Sequence, residues 1–185
     1  MTTGLVLKDG ILGPGLPFAD AETLINKEPT LPPADVSRIS EVYNSYGCNM
    51  GINLVVARRH AMRFDQTLPL YAWWEDIDFS RRMARFGRIV RVRQAKGVHL
   101  GTKSGRQSGV RLGYSQIANP VYLLRKGTCT PLRASAQITR NVLANLAKSV
   151  WPERYVDRRG RVRGNLRAVA DLLRGRLSPM RVLDF

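Results

Sequence analysis

Residues 73–82 read Trp-Trp-Glu-Asp-Ile-Asp-Phe-Ser-Arg-Arg. Three carboxylates, Glu75, Asp76 and Asp78, stand within four positions, directly after two indoles and before an arginine pair. Like charges this close repel one another and resist burial, so a purely structural segment rarely gathers them. A carboxylate in the first turn of a helix stays ionised, because the helix dipole and the free amides favour its charge. That suits a base that strips a hydroxyl proton or a ligand that holds a cation. The indole faces of Trp73 and Trp74 add stacking surfaces for sugar rings or bases. The plain alternative is a helix start with acids in its first turn, and spacing alone leaves the two readings level. Asp76-Ile77-Asp78 also spells D-x-D, a pattern that elsewhere holds a divalent ion on a nucleotide diphosphate. Acids at i and i+2 of a helix point to different faces, which argues against that use here.

Two further segments carry residue types with chemical potential. His99 ends a predicted strand and precedes Gly101-Thr102-Lys103-Ser104-Gly105-Arg106. A histidine there is a candidate ligand or phosphate contact, although a lone histidine is more often structural. The glycine-rich run could wrap a phosphate with Lys103 and Arg106, but it lacks the Walker pattern. Gly47-Cys48-Asn49-Met50-Gly51 is a glycine-bracketed turn leading into a strand. It reads equally as a loop bordering a site or as an ordinary tight connection.

The elements that must position these groups follow from periodicity and breakers. Thr3–Leu7 reads as a buried strand ending at Asp9-Gly10, and Phe18–Asn26 as a short helix. Glu28–Ser40, with three prolines, reads as a loop. Asn53–Ala57 reads as a strand and Arg58–Arg63 as a short helix. Asp76–Phe86 is a helix stopped by Gly87, with acids early, arginines late, Asp78 and Arg82 placed to pair, and Phe79, Met83 and Phe86 facing the core. Ile89–Val92 returns as a strand. From Ser115, read as a cap, the chain is helical. A segment ends at Gly127. A helix near 131–151 has Leu132, Ala136, Leu143, Leu146 and Val150 on one stripe, with Arg133, Gln137, Arg140, Asn141 and Lys148 opposite. After a basic loop at 157–164, a last helix carries Leu166, Val169, Ala170 and Leu173 on one side. A boundary is expected at 112, between an α/β portion (1–112) and a basic amphipathic helical extension (113–185).

The chain has 185 residues and 44% hydrophobic content, enough for a proper core. Its net charge of +16 is lopsided. Residues 1–79 hold 6 Lys/Arg against 10 Asp/Glu, while residues 80–185 hold 24 against 4. The basic excess therefore belongs to the C-terminal part, where it attracts phosphates of nucleic acid, nucleotide sugar or anionic lipid. Cys48 and Cys129 form neither a metal spacing nor a disulfide framework, and a reduced, cytosolic setting is the simpler reading. Lys8 and Asp9 interrupt the first apolar run, so no signal peptide is expected. No apolar stretch is long enough to cross a bilayer. A nucleic-acid-binding module is a rival reading, yet the tail has no zinc-finger or RNP signature and few aromatics among its arginines. Amphipathic helices with basic faces fit an anionic membrane surface better, and a solvated basic face on packed helices weighs about the same.

In order along the chain, Gly47-Cys48-Asn49-Met50, Arg58-Arg59, Phe64-Asp65, Glu75-Asp76-Ile77-Asp78-Phe79-Ser80-Arg81-Arg82, Gly87 and His99 resemble the second half of a family 2 glycosyltransferase of the GT-A fold. The match spans roughly residues 1–105. Asn119-Pro120 through Gly127 and Arg163-Gly164-Asn165 look like the C-terminal extension of bacterial members. The resemblance implies a partial GT-A, Rossmann-like sheet followed by an all-helical extension. It implies an inverting transfer from a nucleotide-sugar donor to a saccharide or lipid-linked acceptor, in envelope or exopolysaccharide synthesis at the inner face of the plasma membrane. Asp76 would take the acceptor proton, and Glu75 would position the acceptor or serve as the second choice of base. Trp73, Trp74, Gly47, Asn49 and Asp78 would border the acceptor. His99 would contact metal or diphosphate, with Mg²⁺ or Mn²⁺ aiding departure of the nucleoside diphosphate. The family's nucleotide-binding half, with its own D-x-D, has no counterpart before Gly47. The main metal ligands are therefore expected outside these residues, and a fragment, a misplaced start or one half of a split enzyme is expected, with little transfer by this chain alone. A non-catalytic half-domain subunit is the remaining alternative.

Overall fold

The computed structural model describes residues 1–28, 39–102 and 108–185, Leu12 in its main chain only. The expected loop over Glu28–Ser40 falls largely outside these residues, as do Lys103 and Arg106. The chain is mixed α/β and forms two compact units. Met1–Arg63 with Phe79–Ser104 make the first, and Phe64–Asp78 with Gly105–Phe185 make the second.

The first unit is built on a mixed sheet in the order β2 (Ile39–Glu41), β4 (Val90–His99), β1 (Thr2–Asp9), β3 (Met50–Gly51). Strand β1 (Thr2–Asp9) runs parallel to β4 (Val90–His99), in register from Thr2–Val90 to Asp9–His99. Strands β2 (Ile39–Glu41) and β3 (Met50–Gly51) pair antiparallel with β4 and β1. The last strand is longer than Ile89–Val92 because Val90-Arg91-Val92-Arg93 alternates with period two, and the pairing continues to His99. Parallel strands end on the same edge, so Asp9 and His99 finish side by side. The register slips after Gly4, where a side chain has no room: a Cβ would lie 2.1 Å from the Ala95 carbonyl oxygen.

Helix α1 covers Phe18–Asn26, as periodicity predicts. The strand expected at Asn53–Ala57 is instead helix α2 (Leu54–Arg59). The Asn53 side chain accepts from the Val56 amide at 3.2 Å and caps it. Burial of Ala57 against Phe79 and Met83 then overrides the β preference of Val55-Val56. Helix α3 (Glu75–Met83) passes into a 3₁₀ turn, Ala84–Phe86. That tightening rotates Phe86 off the buried face that Phe79 and Met83 share, and its ring stacks on His60 at 3.7 Å instead.

The second unit packs helices α4 (Gly109–Lys126), α5 (Pro131–Ser149) and α6 (Arg158–Leu173). Helix α4 starts earlier than expected. Ser108 caps it, and Ser115 is buried in its interior. The expected boundary at 112 thus falls inside α4. Helices α4 and α6 each carry a G-x-x-x-G pair, Gly109/Gly113 and Gly160/Gly164. A Cβ on Gly113 would sit 2.1 Å from the Arg161 carbonyl oxygen, and one on Gly164 the same distance from that of Val110. The backbones meet directly, the geometry that small-residue stripes permit.

This close approach decides which faces are buried. Gly160, Gly164, Asn165, Ala168 and Asp171 turn inward on α6, so Leu166, Val169 and Leu173 face out. The same inversion holds on α5. Ala134, Ile138, Val142 and Asn145 turn inward, whereas Leu132, Leu143, Leu146 and Val150 are exposed, Leu132 at 79% and Leu173 of α6 at 83%. The apolar stripes noted in the sequence lie on the surface. Beside an apolar cluster led by Tyr114, Ile117, Leu177 and Val182, the interior holds a polar network. Asn145 donates to Gln116 at 2.8 Å and to Asn165 at 3.0 Å, and accepts from Arg158 at 3.1 Å. Asn165 donates to the Gly113 carbonyl at 2.7 Å. Every member is paired, so its burial is tolerated.

The packing predicts a contrast between two α6 positions. Gly164→Val, which forces the backbones apart, destabilises the second unit by about 3 kcal/mol. Leu166→Gln on the outward face stays within about 0.5 kcal/mol of wild type. Urea unfolding followed by circular dichroism measures both, and an equal loss for the two variants refutes the inward–outward assignment.

Candidate functional site

The Trp73–Asp78 segment belongs to the second unit and forms the approach to α3 and its first turn. Leu70, Ala72 and Trp74 all hold left-handed backbone, with φ of 61°, 46° and 75°. None is glycine, so each is strained by about 1–2 kcal/mol. The surroundings hold the strain in place. Ala72 and Leu68 are buried, the Ala72 carbonyl accepts from the Glu75 amide at 2.8 Å, and Asn119 of α4 donates to the Trp73 carbonyl at 2.8 Å. Strain of this kind collects where a side chain must be aimed.

Beneath the turn, Lys126 at the end of α4 ties two carboxylates. It lies 2.9 Å from Asp78 and also bonds Asp65. The Thr128 hydroxyl donates to Asp78 at 2.9 Å, and the Tyr122 hydroxyl to Asp65 at 2.8 Å. Partial burial pushes the Asp65 carboxyl up, but the bonds from Lys126, Thr67 and Tyr122 outweigh it and hold it well below the usual carboxylate range. Burial pulls the Lys126 ammonium down, and the two carboxylates override that and raise it.

These contacts correct one expectation. The Asp78 side chain is 0% exposed, so it does not border an acceptor but secures the start of α3. Glu75 and Asp76 remain half-buried. The Asp76 carboxylate accepts from the Ile77 amide at 2.8 Å. Desolvation, and then the charge of Asp76, push the Glu75 carboxyl upward and make it a better proton acceptor. The two indoles part company. Trp73 stacks on Tyr71 with centroids 6.0 Å apart, and its ring N–H is buried without a hydrogen-bond partner among the described residues. Trp74 lines a cleft of about 230 Å³ with Ile77, Cys129, Arg133, Ala136, Gln137 and Arg140.

In the first unit, His99 lies 2.8 Å from Asp9 through Nδ1, and the Tyr46 hydroxyl is 3.0 Å from both side chains. Burial pushes the Asp9 carboxyl up, yet the Ile11 amide, His99 and Tyr46 together bring it below its ordinary value. The sequence reading missed Asp9 and Tyr46, and only the parallel pairing of β1 with β4 brings Asp9 to His99. Mg²⁺ takes about six oxygen-rich ligands. Among the described residues no group of three or more His, Cys, Asp or Glu could hold a metal ion, so Asp9 and His99 do not by themselves fit a divalent cation. Gly47 is exposed in the turn between Tyr46 and Asn49. The Asn49 carbonyl accepts from the Gly4 amide at 3.1 Å and the Thr3 hydroxyl at 2.8 Å, which binds this turn to β1.

Comparison with protein-family models, with curated proteins and with solved structures finds no match. The functional reading rests on the residues.

Lys126→Met strips two carboxylates of their cation and leaves Asp78 buried without it. It destabilises the second unit by about 3–5 kcal/mol. Adding Asp78→Asn to that variant restores part of the loss, a non-additivity read from urea midpoints of the two single variants and the double.

Proposed function

We propose that this chain is the acceptor side of an inverting, family 2-like glycosyltransferase. The observation that carries the reading is the Glu75/Asp76 pair, half-buried in the first turn of α3 and flanked in sequence by the Trp74 and Ile77 walls of a cleft. A strained loop and a buried ion cluster aim that turn. Asp76 takes the proton of an acceptor hydroxyl as its oxygen attacks the anomeric carbon of a nucleotide sugar. The bond to the nucleoside diphosphate breaks on the opposite face, which inverts the centre. The transition state carries oxocarbenium character. Glu75, with its raised proton affinity, positions the acceptor and is the alternate base.

In the complete transferase, Asp76→Asn lowers kcat by about 10³-fold or more, since general-base catalysis contributes about 10²–10⁴-fold. Glu75→Gln chiefly raises the acceptor KM. Steady-state transfer assays with unchanged donor affinity check both. Near-normal turnover in Asp76→Asn defeats the base assignment, and a reversal of the two effects moves that role to Glu75.

The same reading sets the protein against the inner face of the plasma membrane. No helix among the described residues is long and apolar enough to cross a bilayer. The support for peripheral attachment is the outward apolar side of α5 and α6, Leu132, Leu143, Leu146, Val150, Leu166 and Leu173, together with exposed Trp151, on a strongly basic segment. Apolar insertion combined with cationic attraction is the mode of interfacial helices. Vesicles containing phosphatidylglycerol bind the chain, and Leu143→Gln/Leu146→Gln weakens binding at least about tenfold. Equal binding to neutral vesicles, or no effect of the substitutions in co-sedimentation, argues for plain surface helices.

A further inference from the structure

The cleft beside α3 has a composition that the transfer chemistry does not require. It is lined by Trp74, Ile77 and Cys129 and by Arg133, Ala136, Gln137 and Arg140 of α5. Residues 133, 136, 137 and 140 follow the i, i+3, i+4, i+7 spacing of one helix stripe. Helix α5 therefore has three distinct sides: a buried side led by Ala134 and Asn145, an apolar outward side, and this cationic stripe. Arg140 is fixed by donating to the Gln137 side chain at 2.6 Å.

We infer that this cleft binds the phosphate of a phosphorylated sugar acceptor, with Arg133 and Arg140 holding the phosphate and Trp74 covering the sugar ring. This inference rests on the acceptor-side reading above. At about 230 Å³ the cleft is below the roughly 300–1,000 Å³ typical of drug-sized ligand sites, a size that suits a single sugar unit. Charge selects the anion. The Arg133 and Arg140 guanidiniums present N–H donors in a planar fork that matches phosphate oxygens. Their Cα atoms lie about 10 Å apart along the helix, within reach of one group between them. The indole adds the stacking face that a sugar ring takes. Trp74 and Ile77 bracket Glu75 and Asp76 in sequence, so the cleft adjoins the first turn of α3 that bears the two carboxylates.

The test is calorimetric titration of the full chain with glucose 1-phosphate, glucose, inorganic phosphate and decyl glucosyl phosphate. Glucose 1-phosphate is expected to bind at least about tenfold tighter than glucose, and Arg133→Gln and Arg140→Gln each to weaken it about tenfold. Charge-matched controls Arg125→Gln and Arg174→Gln leave it within twofold. Ala136→Glu, which places a carboxylate in the cleft, abolishes binding even where an arginine variant is poorly folded by circular dichroism. Tighter binding of the decyl ester assigns a lipid-linked acceptor, and equal binding assigns a soluble sugar phosphate. Equal losses in the control variants, or glucose binding as well as its phosphate, overturns the proposal. The titration reads binding without any transfer step, so a failed transfer assay and a failed cleft are told apart.

Discussion

The ammonium of Lys126 sits between the carboxylates of Asp65 and Asp78, and the candidate site hangs on that interaction. Asp65 anchors the start of the 64–78 segment and Asp78 anchors its end. Between them the chain passes through three left-handed residues that no local preference supports. Without the cation, two carboxylates would face each other at the end of α4, one of them fully buried. With it, both carboxylates are paired and the first turn of α3 is pinned. Thr128 and Tyr122 complete the acceptors' demand, so the cluster is paired throughout rather than half-satisfied.

A second constraint lies in the contact of α4 with α6. Glycines at 109, 113, 160 and 164 let two backbones touch. Beside that contact the interior holds both an apolar cluster, led by Tyr114, Ile117, Leu177 and Val182, and the buried polar residues Asn145, Asn165, Gln116 and Asp171. Leu132, Leu143, Leu146, Leu166 and Leu173 of α5 and α6 are left outside. Arg133 and Arg140 of α5, both exposed, line the cleft with Trp74.

Several parts of this arrangement were legible in the residues. The acids at 75, 76 and 78, the helix they open, helix α1, the stop at Gly127 and the strand character of both β1 and β4 follow from dipole, periodicity and breakers. Other parts were not. Asn53–Ala57 looked like a strand because Val55 and Val56 favour one, but a capping asparagine and a buried alanine are signals that only packing amplifies. The apolar stripes of α5 and α6 were visible, but not whether they pack inward or face out. The glycine spacing becomes decisive only when two helices that both carry it meet.

The sequence by itself determined the chemistry on offer: a carboxylate pair at a helix start, indoles before it, and a basic C-terminal part. Those are properties of residue type and short-range spacing. Tertiary structure alone decided which groups remain available. It buried Asp78 with Lys126, turned Trp73 onto Tyr71, and brought Trp74 together with arginines some sixty residues away. It also joined Asp9 to His99 across two parallel strands. Pairing and burial depend on contacts between residues far apart in the chain, and no local pattern encodes which of several like charges will find the one cation that neutralises it.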